Sequence, residues 1–186
     1  SETGVKKSST KREKSAKQDE DYSFEEKMKS MGDYIGDIAT AEGSITLNAS
    51  SAAAQDKLFS NYTLEVGPKS FACLFLADNV LVYVKENSYL KMGTLDLEKE
   101  GSFSLMLENG VCFAEIPPGT GYDNFRLKAG NYLIYGDGSE IYVHSSPGEV
   151  RAGALIGEPF YMPIGSSAQK ITTNTLVTLE TGESES

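Results

Sequence analysis

The chain has 186 residues, and its 17 basic and 27 acidic side chains are unevenly distributed, with a net charge of +4 in residues 1–18 and −14 in the remainder. An acidic body repels polyanions, which argues against nucleic acid as the ligand of the main domain. No run of about 18 apolar residues is present, so the sequence predicts no transmembrane segment.

Residues 1–22 are predicted to be a disordered basic tail. Their composition, rich in Lys, Ser and Thr, cannot bury enough apolar surface to offset the entropy of ordering. Ser23 and Glu26 have the spacing of a helix capping box, and apolar residues recur after them at helical intervals. We therefore expect a short helix within a helix-and-linker segment over residues 23–34.

From residue 35 onwards the apolar pattern changes to the two-residue alternation of β-strands. The strongest local signal lies in Phe71 to Leu76 and Val80 to Val84, two β-rich runs that are joined by three residues. Asn79 in this joint can take the left-handed conformation of a tight turn, which predicts a hairpin.

Similar runs, each bounded by turn residues, recur about every 8–12 positions along the rest of the chain, among them Leu95-Asp96-Leu97 before Gly101. This rhythm predicts an all-β domain over residues 35–183, built as an antiparallel, hairpin-rich sandwich or as a β-solenoid-like domain. The disordered tail and one short helix precede it, and residues 184–186 form a second tail.

The residues that carry most enzyme chemistry are scarce. The single histidine, His144, lies in an alternating run that predicts a strand surface position beside Tyr142. The polar turn around Gly138 is too short to supply the six to eight or so oxygen ligands of a calcium loop. We therefore predict no catalytic residues, no metal and no cofactor, and expect that the protein is not an enzyme. Cys73 and Cys112 allow a disulfide without requiring one.

Ten tyrosines and no tryptophan mark the predicted strands. Exposed tyrosines on a β face often form a contact surface for a protein or a glycan, because each buries area with little loss of entropy. Tyrosine is also favoured in half-buried strand positions, where it has only a structural role. The tyrosines that we predict as a possible interaction surface are Tyr83, Tyr89, Tyr132, Tyr135, Tyr142 and Tyr161.

One stretch resembles a known family. From Leu76 to Leu90 the sequence reads Leu-Ala-Asp-Asn-Val-Leu-Val-Tyr-Val-Lys-Glu-Asn-Ser-Tyr-Leu. This resembles the motif of FecR-type domains, in which an Asp-Gly-Ser turn precedes alternating apolar residues and an Asn-Ser pair. The Gly-x-Val elements that open the family motif are echoed at Gly36 to Ile38 and at Gly43 to Ile45, and its last strand and glycine at Leu176 to Gly182.

The resemblance implies an extracytoplasmic β domain, periplasmic or extracellular. In its best-known setting the family relays a signal from an outer-membrane iron-siderophore receptor to a cytoplasmic sigma factor, using a transmembrane helix that we do not find in this sequence. We therefore expect a non-catalytic binding or signalling module that engages a protein partner in the cell envelope. The alternative is a structural β module that binds carbohydrate or the cell wall through its tyrosines.

Overall fold

The computed structural model describes residues 32–181. The chain divides into two units after Gly32, and all the described strands belong to the second unit. The predicted tail over 1–22, most of the predicted helix-and-linker segment over 23–34, and the predicted tail over 184–186 lie outside the described residues, so these three stay predictions.

The described residues form sixteen strands and one short 3₁₀ turn at Ala77–Asn79. Within 32–181, no helix has the length and apolar character needed to cross a membrane. This composition confirms the predicted all-β class. In chain order the strands are β1 (Tyr34–Glu42), β2 (Ile45–Leu47), β3 (Ser50–Ser51), β4 (Lys57–Phe59), β5 (Thr63–Val66), β6 (Phe71–Leu76), β7 (Leu81–Val84), β8 (Ser88–Met92), β9 (Leu105–Ile116), β10 (Leu127–Ala129), β11 (Tyr132–Tyr135), β12 (Ser139–Ser146), β13 (Glu149–Ile156), β14 (Phe160–Pro163), β15 (Gln169–Lys170) and β16 (Leu176–Glu180).

The strands pair into two sheets, which agrees with the sandwich alternative of the prediction. The first sheet has the order β4-β1-β6-β7-β9-β12-β13-β16. The second has the order β3-β2-β5-β8-β9-β10-β11-β14-β15. Strand β9 belongs to both. Every pair is antiparallel except β9 with β10, which is parallel and differs from the predicted series of antiparallel hairpins.

Strand β9 changes sheets near its middle. Its residues 105–109 pair with β8 and β10 in the second sheet, and residues 110–116 pair with β7 and β12 in the first. Gly110 stands at the change with a φ of 104°, a backbone conformation that disfavours side chains. A Cβ there would lie 2.2 Å from Ser88 Oγ, the atom that accepts a hydrogen bond from the Val111 N–H at 3.0 Å.

The two sheets share one hydrophobic core. Alternate side chains of each strand point inward, as in β12, where buried and half-buried residues alternate along the whole strand. The first sheet contributes Ile38, Val82 and Ile141, and the second contributes Leu64 and Leu90; all five are fully buried in a single cluster. Each such side chain stabilises the fold by about 1.5–3 kcal/mol relative to an exposed position.

The predicted hairpin at 71–84 is confirmed. Strands β6 and β7 pair in antiparallel register, and Asp78 and Asn79 both have a φ of 60° in the turn between them. A second expectation is wrong: the alternating run around Leu95 and Leu97 is not a strand. Asp96 accepts hydrogen bonds on its carbonyl from the Ser102 hydroxyl and the Lys99 N–H, which closes this segment into turns.

Replacing Gly110 with alanine tests the change of sheets in β9. The new Cβ would overlap Ser88 and would force a positive φ on a residue with a side chain, so we expect a loss of about 3 kcal/mol in the free energy of unfolding. Urea denaturation followed by circular dichroism measures it. Gly148→Ala is the matched control, since Gly148 has a φ of 82° but open space around its Cβ position. It should cost only about 1 kcal/mol; equal losses for the two variants would contradict the packing argument.

Candidate interaction surface

The outer face of the first sheet carries a line of aromatic side chains. The registers place Tyr83 opposite Phe113, and Phe113 opposite Tyr142, on the neighbouring strands β7, β9 and β12. These three residues, which we call the aromatic row, are all half-buried. The ring centroids of Phe113 and Tyr142 lie 5.3 Å apart at an interplanar angle of 56°, within the usual range for interacting aromatic pairs. Cys73 continues the line onto β6, opposite Tyr83.

Two carboxylates lie on one side of the aromatic row. Glu115 and Glu140 are directly opposite each other on β9 and β12, an arrangement that is unfavourable for like charges. Burial raises the pKa of Tyr83, and the nearby Glu115 carboxylate raises it further through its charge and a hydrogen bond. Within residues 32–181, neither carboxylate takes part in a salt bridge. The two therefore form an acidic pair that no cation of the described residues neutralises.

Basic groups lie on the other side of the row. Lys85 Nζ is 5.8 Å from the centroid of the Phe113 ring, a cation–π contact. His144 stands opposite Arg151 on the next strand, as a half-buried strand residue beside Tyr142. Arg151 is neutralised by Glu149 on its own strand, at 2.5 Å between Nε and Oε1. Among the described residues Lys85 has no carboxylate partner. The face is therefore polarised: the acidic pair lies on one side of Phe113, and the positive charge of Lys85 lies on the other.

Strand β16 forms an edge of the same sheet. Among the described residues it pairs only with β13. The Thr181 N–H donates to Gly148 and the Ala154 N–H donates to Thr175, which fixes the odd-numbered residues of β16 as the ones that bond β13. The backbone groups of Leu176, Thr178 and Glu180 therefore point away from the sheet. The Glu180 carbonyl accepts a hydrogen bond from the Tyr132 hydroxyl at 2.8 Å. The backbone groups of Leu176 and Thr178 therefore remain at the edge.

This edge lacks the features that usually prevent strand pairing. Proteins protect edges with very short strands, lysines, prolines or bulges. Strands β3 and β15 have two residues each, and β4 has three, a lysine and a bulge in its pairing with β1. Strand β16 has five residues and none of these features. Close to it lie three large apolar side chains that are about half exposed: Leu155 (52%), Ile156 (53%) and Leu176 (54%).

The predicted tyrosines do not form one surface. Tyr83 and Tyr142 share the aromatic row. Tyr132 and Tyr161 pack against the hydrophobic core, with ring centroids 6.4 Å apart. Tyr135 contacts the rings of Tyr122 and Phe160, while Tyr89 lies on β8 of the second sheet, opposite Glu65.

The central ring of the row, Phe113, was not predicted. In the second half of β9, half-buried Val111, Phe113 and Glu115 alternate with buried residues. This alternation indicates that the three side chains lie on the outward face of the strand. The prediction considered tyrosine alone and therefore missed it.

A groove of about 860 Å³ opens at the end of β16. It lies between the turn at Gly130 and Asn131 and the turn at Pro147 and Gly148. Its lining includes hydroxyl and amide groups and two carboxylates, Glu108 and Glu180. Glu108 is neutralised by Lys91, at 2.9 Å between carboxylate oxygen and Nζ. These groups suit hydrogen bonding to a polar segment of a ligand.

The two cysteines are free and buried, so they do not form the disulfide that the sequence allowed. Cys112 points into the core, and burial raises the pKa of its thiol to about 12 from an ordinary value of 9.0. Cys73 lies on the outer face, where burial and then the Glu115 charge raise the pKa of its thiol.

Comparison with known proteins identifies a similar fold. No protein family and no curated protein matches the chain. Two crystal structures of a "putative anti-sigma factor" from Parabacteroides distasonis ATCC 8503, at 1.65 Å and 2.50 Å resolution, match with TM-scores of 0.52 and 0.51. The identity is 11% in both, and the matches cover 66% of this chain and 57% and 56% of the other. The chain thus spans little more than half of that protein's length, and the likeness shows a shared fold alone.

The raised pKa of Cys112 predicts a loss of stability at alkaline pH. Below pH 9.0 the thiol is neutral in the folded and the unfolded chain, so it contributes no pH dependence. Above that value the unfolded chain releases a proton that the folded chain retains, and stability falls until about pH 12. Urea unfolding should show Cys112→Ala losing about 1 kcal/mol less than the unmodified chain between pH 8 and pH 10. Identical losses would contradict a buried, neutral thiol.

Proposed function

We propose that this chain is a non-catalytic binding or signalling module of FecR-like fold, located outside the cytoplasm, which engages a protein partner in the cell envelope. The observation that carries this proposal is the unprotected edge of β16. An extended segment of a partner can continue the sheet there, because main-chain hydrogen bonds supply affinity and side-chain contacts supply specificity.

The edge has the parts that strand addition requires. Leu176 and Thr178 offer two N–H donors and two carbonyl acceptors at the rim of the sheet. Leu179 is buried and anchors β16 to the core, so the edge is held in a fixed position. The exposed side chains of Leu155 and Ile156 lie at the same corner and would bury apolar surface against the incoming segment.

Two further observations support a protein partner. The fold is similar to that of a protein described as a "putative anti-sigma factor". The motif from Leu76 to Leu90 resembles that of FecR-type domains, a signalling family. We base the proposed extracytoplasmic location on the same resemblance. The carbohydrate alternative rests on aromatic rings alone, such as the stacked pair of Phe71 and Tyr83 at an interplanar angle of 27°, and has no support comparable to the β16 edge.

Proline at position 178 tests the proposal. Thr178→Pro removes an N–H that points away from β13, so it should block strand addition while the pairing of β16 with β13 is retained. Thr178→Ala keeps the N–H and is the matched control. Chemical crosslinking of the folded chain to envelope extract, followed by mass spectrometry, should yield a partner protein with the unmodified chain and with Thr178→Ala, but not with Thr178→Pro.

Circular dichroism and a thermal melt would establish that each of these variants is folded. A partner captured equally by Thr178→Pro would show that the edge is not the binding site. If the folded, unmodified chain captured no protein, the proposed function would be overturned.

A further inference from the structure

We propose that two copies of this chain associate through the outer face of the first sheet, about a twofold axis that runs along the aromatic row. The inference goes beyond the proposed function, because it concerns a different surface from the β16 edge. It rests on the order in which charged and aromatic groups cross this face.

The face is self-complementary in charge. Along β9 and its neighbours, the acidic pair of Glu115 and Glu140 lies on one side of the aromatic row, and Lys85 and His144 lie on the other. A twofold rotation about the row exchanges the two sides. It therefore places the acidic pair of one copy over the basic side of the second, in both directions at once, as an isologous interface requires.

The individual contacts follow from the register. His144 lies on the same strand as Glu140, four residues further along, so the rotation brings His144 of one copy over Glu140 of the other. Lys85 comes over the neighbourhood of Leu81 and Glu115, which face each other on adjacent strands about 4.8 Å apart. The flexible four-carbon stem of a lysine spans that offset.

The unpaired charges on this face of the single chain favour association with a second copy. Glu115 and Glu140 are opposed like charges, and Lys85 has a ring as its partner but, within the described residues, no carboxylate. A second copy supplies the missing opposite charge to Glu115 and to Lys85. The Phe113 ring lies on the axis and would meet its own counterpart at the centre of the interface, where aromatic side chains contribute most to binding.

This interface leaves the proposed binding edge free. Its centre lies on β9, and β12 and β13 separate β9 from β16. With strands about 4.8 Å apart, the edge is about 14 Å from the centre. A dimer could therefore hold two envelope partners, and the failure of one interaction does not imply the failure of the other.

Charge reversal gives a direct test, with the full chain at about 0.15 M salt, where exposed charges interact over about 8 Å. Lys85→Glu places three carboxylates together on each side of the axis, and Glu115→Lys brings two lysines together there. Sedimentation equilibrium should show a dimer for the unmodified chain and, for each single variant, dissociation constants at least about tenfold higher. An equimolar mixture of the two variants restores both pairs, so it should form a heterodimer within about threefold of the unmodified affinity.

The double variant Lys85→Glu/Glu115→Lys should likewise recover the dimer, whereas Lys99→Glu, a reversal at an exposed turn residue between β8 and β9, should leave it unchanged. An unmodified chain that remains monomeric at high micromolar concentration would overturn the proposal. So would two folded single variants that do not recover when mixed.

A crosslink at the axis keeps the proposal testable if a charge variant does not fold. Phe113→Cys combined with Cys73→Ala should be joined into a covalent dimer by a bis-maleimide linker of about 10 Å, because residue 113 faces its own counterpart across the axis and packed sheets lie about 10 Å apart. Tyr89→Cys combined with Cys73→Ala presents a cysteine on the second sheet and should not. Equal crosslinking of the two, or none at position 113, would contradict the twofold arrangement.

Discussion

Strand β9 is the constraint on which the rest of this fold depends. A single twelve-residue strand pairs on both sides with neighbours from the second sheet and then, beyond Gly110, with neighbours from the first. The two sheets therefore share covalent backbone as well as a hydrophobic core. The crossing needs close contact between the Gly110 backbone and Ser88, which only a residue without a Cβ allows.

The same strand arranges both proposed surfaces. Its second half presents Phe113 and Glu115 on the outer face, between Tyr83 of β7 and Tyr142 of β12. It also fixes the position of β12, on which β13 and then the edge strand β16 are built. The face and the edge are thus consequences of one pairing scheme, and they lie far enough apart to be used together.

Much of the local structure is legible in the sequence. Alternation of apolar residues gives the strands, and Asn79 gives the turn between β6 and β7. The run around Leu95 shows that alternation of apolar residues is not sufficient to predict a strand. The Ser102 hydroxyl and the Lys99 N–H donate hydrogen bonds to the Asp96 carbonyl, and the Leu97 side chain is exposed. Long-range pairing is the part that local patterns do not contain. Neither the parallel alignment of β9 with β10 nor the change of sheets at Gly110 has a sequence signal of its own.

The sequence predicted the interaction surface, like the fold, only in part. Tyrosine content indicates a contact face, but the six candidate tyrosines are separated once strand register is known. Tyr132 illustrates the difficulty, since its ring packs on the core and its hydroxyl caps the Glu180 carbonyl. Phe113, Lys85 and Glu115 come together only across strands, so their polarised arrangement appears in the fold and not in any stretch of sequence.

Native-state hydrogen exchange measured by NMR tests the central role of β9 most directly. If one strand couples both sheets, amides in its two halves should exchange only through global unfolding, with the same opening free energy as the denaturant-derived stability. Leu107 in the first half and Ala114 in the second should then be equally protected and equally sensitive to urea. A first half that opens with the second sheet while the second half stays protected would show that the sheets are separate units, and would contradict this account.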